Sequence, residues 1–242
     1  GRPAWHRHIS GCRRVYPCPY LTAQPGDWRD ILRQFIKKYP YVLWVLYLPV
    51  YLVLFFIVEQ VITTDYWVSY CKVDDWIPFC PAFVVFYVMW YPLAIGTGLY
   101  LLWKDPKVFQ RYMYFVSIGL TVSLLICLVF PNGQDLRPTA LGNDIFSRIM
   151  RLIYAADTNT NVLPSMHVVG TCAVIAAWYH TEVQHKWVRP AILILGLLIN
   201  VSTVLVKQHS FLDIIAGVVL SAVVYVISYR LLPVPELERI HR

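Results

Sequence analysis

Long apolar runs alternate with short polar breaks along the chain. Six runs stand out: Pro40–Val61, Phe79–Trp103, Tyr112–Phe130, Pro164–His180, Pro190–Val206 and Phe211–Leu232. A helix that crosses a bilayer core needs about 20 apolar residues, with a range of about 17–25. The pattern therefore predicts an all-α, polytopic membrane protein, a bundle of six transmembrane helices. The fourth and fifth runs are the shortest, and the last three carry the polar residues. Pro49 and Pro92 lie inside the first two runs, where a kink is tolerated if neighbours satisfy the freed carbonyls. Ahead of the first run, in DWRDILRQFIKKYPY, Trp28, Ile31, Leu32, Phe35 and Tyr39 recur at helical spacing opposite Arg29, Arg33 and Lys37. That stripe suits a helix lying in the headgroup plane or an ordinary surface helix, with Asp27 as N-cap. Three regions follow: a segment 1–39 with the amphipathic helix, a membrane domain 40–232 and a tail 233–242.

Composition agrees. Of 242 residues, 58% are hydrophobic and 14% charged, against about 25% charged in a soluble domain. The N-terminal GRPAWHRHISGCRRVYPCPY is basic and polar without an apolar core, so no cleavable signal is expected in it. With the N-terminus, the second and fourth loops and the C-terminus on one side, that side holds 16 of the 21 Lys and Arg residues. The other side holds Lys72, Arg137, Arg148, Arg151 and Lys207. The positive-inside rule makes the first side cytoplasmic. The net charge of +7 then reflects membrane topology, and no nucleic-acid partner is expected. Cys71 and Cys80 share the first outer loop, where a disulfide is expected. Cys12 and Cys18 fall on the cytoplasmic side. Cys127 and Cys172 read as small packing residues. Glu59, Asp65, Asp74 and Asp75 read as outer-side acids that tune loop solvation.

This topology puts three polar stretches at the outer ends of helices. FPNGQDLRP (130–138) ends the third run, NVLPSMH (161–167) opens the fourth, and STVLVKQHSFLD runs from Ser202 to Asp213 across the joint between the last two. Ionisable groups at such places are costly, and a functional site is the default reading. The plainer reading is a polar turn that caps two helices.

The three stretches resemble the type 2 phosphatidic acid phosphatase (PAP2) superfamily. PSMH is similar to its P-S-x-H element. Ser202, His209 and Asp213 fit its third motif, S-R-x5-H-x3-D, and Arg137-Pro138 fits the end of its first, K-x6-R-P. Two positions depart from the pattern: the Lys falls on Phe130 and the Arg on Thr203. Lys207 lies four residues after Thr203, and on a continuous helix the two share a face. Lys207 is thus a candidate stand-in for the Arg, or a lysine that snorkels to the headgroups. Arg148 or Arg151 is a candidate for the Lys.

The resemblance implies a phosphohistidine mechanism, and the residue types suit it. His209 is the expected nucleophile, with Asp213 fixing its tautomer. His167 is the expected general acid. Arg137 can grip phosphate in a fork. Ser165, Met166 at the helix start, Ser202 and Lys207 complete the expected phosphate contacts. No metal or other cofactor is expected, since HExxH, DxDxD and paired-Cys spacings are absent from the sequence. The expected substrate is a lipid phosphate in the membrane, hydrolysed at an extracytoplasmic site. A phosphotransferase of the sphingolipid-headgroup-synthase type, passing a phospho-headgroup to an alcohol, is the alternative. A transporter or scaffold that kept the fold is a third reading, opposed by His167, His209 and Asp213.

Overall fold

The structure is a computed structural model that describes residues 28–61, 65–182 and 185–235. Helix α1, Trp28–Lys38, belongs to a compact unit that ends at Lys38. It carries the predicted apolar spacing and an Asp30–Arg33 ion pair at 3.6 Å. Asp27, Cys12, Cys18 and residues 236–242 lie outside the described residues.

The second unit, from Tyr39 onward, is a helical bundle. A 3-10 turn, Pro40–Leu46, runs into α2, Tyr47–Val61, and another, Pro81–Phe83, into α3, Val84–Lys104. Then come α4, Pro106–Val129, α5, Ile145–Ala156, α6, Met166–His180, α7, Val188–Leu205, and α8, Phe211–Val226, which continues as a wide turn to Leu231. Among the described residues, five helical stretches are long and apolar enough to cross a membrane: Pro40–Val61, Pro81–Lys104, Pro106–Val129, Val188–Leu205 and Phe211–Leu231. The protein is an integral membrane protein built almost entirely from helices.

The expected fourth span is α6, and with 15 residues it is about 22 Å long, short of a full crossing. Its surroundings explain how so short a helix is held. It packs against α3, α4, α7 and α8, and Val168, Val169, Ala173, Val174 and Ala177 are fully buried. Small residues let the neighbours close in. A Cβ on Gly170 would stand 2.6 Å from the Trp90 ring, and one on Gly217 of α8 would stand 2.9 Å from Val168.

Two elements differ from the sequence expectation. Helix α4 begins at Pro106, six residues before the apolar run. Asp105 caps it by accepting from Val108 N at 3.2 Å, with Pro106 at the first helical position. A proline there is preset for the helix and lacks only an N–H that would be unpaired anyway. Lys107 and Arg111 broke the apolar pattern but not the helix. Helix α5 was unexpected. Asp144 caps it through Phe146 N and Ser147 N, both at 3.0 Å, and Met150 buries its inner face. Cys71 and Cys80 are free thiols rather than a disulfide.

At the end of the bundle where α6 and α8 begin, a short parallel pair, β1 (Trp67–Val68) and β2 (Asn132–Gly133), ties the loop before α3 to the FPNGQD stretch. Ser69 N continues it onto Gly133 O at 2.7 Å. This pairing draws the loop before α3 over the ends of α6, α7 and α8.

Candidate active site

The joint between α7 and α8 is the centre of the site. Helix α7 ends in a hairpin of backbone bonds: Lys207 N donates to Val204 O at 3.2 Å and Gln208 N to Thr203 O at 3.0 Å. This is the Schellman arrangement, whose key residue sits in the left-handed region and is usually glycine. Here it is Lys207, with φ of 52°. The helical face that would join Thr203 to Lys207 is therefore broken. Thr203 is buried with its hydroxyl on Asn200 O at 2.7 Å, while the Lys207 ammonium donates to Asp74 O at 3.0 Å. Burial lowers the Lys207 pKa, against the pull of Asp74 and Asp75.

Three residues after Lys207, Ser210 caps α8. Its hydroxyl accepts from Leu212 N at 3.2 Å, and Asp213 Oδ2 accepts from Ser210 N at 2.8 Å. Asp213 is wholly buried and serves three partners. Oδ2 also stands 3.3 Å from His209 Nδ1, and Oδ1 accepts from Ser69 Oγ at 2.5 Å. The capping pair and the histidine–aspartate pair are thus one structure. His209 Nδ1 is 3.0 Å from Val162 O. A carbonyl only accepts, so Nδ1 carries the proton and Nε2 keeps its lone pair. Nε2 has no hydrogen-bond partner among the described residues.

His167, in the first turn of α6, faces this ring at 6.0 Å between centroids. It is clamped between Tyr87 at 4.3 Å and Trp90 at 4.6 Å. His167 Nε2 and the neighbouring Ser165 Oγ are both buried without a hydrogen-bond partner. Ser165 and Met166 open α6 with no side-chain cap on the first N–H groups. Asn132 sets the approach to this helix: its Oδ1 accepts from Val162 N and Leu163 N at 2.9 and 2.8 Å, and its Nδ2 donates to Leu163 O at 3.1 Å.

Arg137 is half-buried and much engaged. Its guanidinium donates to Asp157 O, Thr158 O and Gln208 Oε1 at 3.0, 2.6 and 2.6 Å, and lies 4.5 Å from the Tyr154 ring centroid. Its Nε is buried and unpartnered. Ser202, wholly buried, donates to Ile199 O at 2.6 Å. Arg148 and Arg151 turn back onto their own loop, donating to Asn143 O and Gly142 O at 3.1 and 3.0 Å. Phe130 stays exposed, its ring 5.6 Å from that of Trp67. Neither departure from the motif pattern is filled from its own position.

Residues 134–235 match the PAP2 superfamily. The sequence resemblance stands on that match, and PAP2 proteins act on phosphate esters as phosphatases or phosphotransferases. The matched segment holds Arg137, Ser165, His167, Ser202, Lys207, His209 and Asp213. A search of curated proteins finds no match, and neither does a search of solved structures.

Several site residues lie outside that segment, and the sequence reading missed them as site residues. Ser69 had no signal of its own. Asp74 and Glu59 had been read as solvated acids, yet they are 3% and 2% exposed. Asp74 accepts from Ser210 Oγ, Phe211 N and Cys71 N at 2.7, 2.8 and 2.8 Å. Glu59 accepts from Thr158 Oγ1 at 2.8 Å. Asp157, beside it, accepts from Gln208 Nε2 at 2.9 Å. Burial first, then the Glu59 charge, pushes the Asp157 carboxyl up to about 6, against Arg137 and His209.

Proposed function

We propose that the protein is a membrane lipid phosphate phosphatase working through a phosphohistidine on His209. One observation carries this reading: the ring of His209, bonded through Nδ1 alone, lies 6.0 Å from the ring of His167, whose own Nε2 is buried without a partner. Unpartnered buried polar atoms are uncommon and ask for an explanation; a bound phosphoryl group supplies one. Nε2 of His209 attacks phosphorus, and the bond to the lipid oxygen breaks. His167 gives that oxygen its proton. The positive ring is held through Nδ1–H by Val162 O and Asp213. Water, deprotonated by His167, then attacks phosphorus, the P–N bond breaks and phosphate leaves. Ser165, the first N–H groups of α6 from Met166, Arg137, Ser202 and Lys207 form the phosphate-binding set. Arg137 and Lys207 serve it by exchanging part of their carbonyl contacts for phosphoryl oxygens.

Transfer to an alcohol is the second reading, and the two departures at Phe130 and Thr203 favour it. A diester phosphate carries less charge than a monoester and needs fewer cations. The test is release of inorganic phosphate from lipid monophosphates, with and without an acceptor alcohol. Hydrolysis predicts release without the alcohol, whereas transfer predicts product only with it. His209→Ala should abolish turnover and labelling of the enzyme by substrate phosphate in either case. Full turnover in His209→Ala would overturn the mechanism.

A further inference from the structure

The far end of α6 carries a second polar cluster that the reaction does not use. His180 lies 13 residues from His167, about 20 Å along the helix. Its Nε2 stands 2.9 Å from Tyr225 Oη, and its ring stacks on Tyr229 at 4.3 Å. Arg111 lies 5.8 Å from the Tyr229 ring centroid, and Arg189 5.7 Å from that of Tyr179. Arg111, Arg189 and Arg230 are all close enough for their charges to act on the His180 ring. Among the described residues, none of these three arginines has an acidic ion-pair partner. The nearby acid Asp105 is occupied, capping α4 and accepting from Thr181 Oγ1 at 2.8 Å.

A groove of about 390 Å³ leads from this cluster along the side of the bundle. Small side chains, Cys172 and Ala176 of α6 and Ala222 of α8, leave its floor low, while Phe115, Leu193 and Val218 wall it. Ser221 adds no free donor, since its hydroxyl is spent on Gly217 O at 2.6 Å. His180, Tyr179 and Tyr225 close the groove at the cluster. The result is an apolar channel along α6 that ends at Tyr179, His180 and Tyr225, with Arg111 donating to Ser228 O at 2.8 Å, Arg189 donating to Thr181 O at 3.4 Å and Arg230 beside that end, none of them held by a described acid. A single chemistry satisfies both parts: a hydrocarbon chain in the groove and an anionic headgroup at the arginines. Basic pockets between membrane helices bind anionic headgroups on this principle. The Lys and Arg count also puts this end at the cytoplasmic face.

We propose that this groove is a binding site for an anionic phospholipid, one acyl chain against α6 and the phosphate among Arg111, Arg189 and Arg230. The site is separate from His209, at the other end of the bundle. It is tested by binding alone, so its failure leaves the phosphatase reading untouched. The purified full chain is loaded with phosphatidylglycerol or phosphatidylcholine of identical acyl chains, and retained lipid is counted by native mass spectrometry. The wild type should retain the anionic lipid roughly tenfold better. Arg189→Gln with Arg230→Gln, both at exposed positions, should bring the two lipids close to parity. Ala176→Leu, which fills the floor, should reduce retention of the anionic lipid while the arginines remain. Equal retention by the wild type, or an unchanged preference in the arginine pair, overturns the headgroup assignment. Unchanged retention in Ala176→Leu overturns the groove.

Discussion

Asp213 accepts hydrogen bonds from a hydroxyl and a backbone N–H and stands beside a ring nitrogen, all without contact with water. The Ser69 hydroxyl is the one member of that set from outside the PAP2 segment, and it aims the carboxylate by holding Oδ1 while Oδ2 faces His209. A hydrogen bond to a charged group is worth about 1.5–3 kcal/mol. Ser69→Ala should therefore lower turnover roughly ten- to hundredfold, with KM nearly unchanged. A merely structural role would show as lost stability at unaltered turnover. Asp157 offers a pH test. Its folded pKa, about 6, lies above the roughly 3.9 of an exposed aspartate. Between those values the folded state binds more protons than the unfolded one, so stability falls as pH rises through that window and then levels off. Asp157→Asn keeps an oxygen for Gln208 and should flatten the slope, which thermal unfolding from pH 4.5 to 8 measures. An unchanged slope would place the titration elsewhere.

At the scale of elements, the α7–α8 joint decides where His209 points. A left-handed lysine costs roughly 1–2 kcal/mol relative to glycine, and the fold bears that cost at Lys207. Two substitutions separate backbone from ammonium. Lys207→Gly removes both the strain and the charge; Lys207→Gln removes only the charge. If the ammonium serves phosphate, both should lose about 10²–10³ in turnover, as lost transition-state donors do. The glycine variant should also melt higher than the glutamine variant. Full turnover in Lys207→Gln would leave the ammonium with its Asp74 contact alone. Helix α6 shows how element and site depend on each other. Its 15 residues suffice because protein surrounds it, and Gly170 admits Trp90 against His167.

For the whole molecule, the 16-to-5 division of cations predicts which end faces out. Cys71 and Cys80 share the loop before α3 at the His209 end, and both are free and partly exposed. An impermeant maleimide added to intact cells should label them, while Cys12 and Cys18 should react only after lysis. The reverse pattern would put the site in the cytoplasm. The whole bundle also explains why the site is so poor in free cations. Arg137 closes the loop after α5 onto Gln208, and Lys207 pins the loop before α3 through Asp74 O, so both cations of the expected set also hold chain segments together.

The sequence by itself determined the membrane character, most helix positions and the three motifs, because apolar periodicity and short-range spacing are local properties. It also singled out His167, His209 and Asp213 as candidates, which the fold brings together at neighbouring helix ends. Only the tertiary structure brought Ser69 and Asp74 to Asp213 and Ser210, 144 and 136 residues away. A hydroxyl and an acid in an outer loop carry no periodic signal, and their partners are set by how the loop folds over the bundle. The break between Thr203 and Lys207 was likewise invisible. A helix end depends on backbone hydrogen bonds and one left-handed residue, and a lysine does not announce that conformation as a glycine would. The burial of Glu59 and the partial burial of Asp157 were decided the same way, by neighbours that only packing supplies.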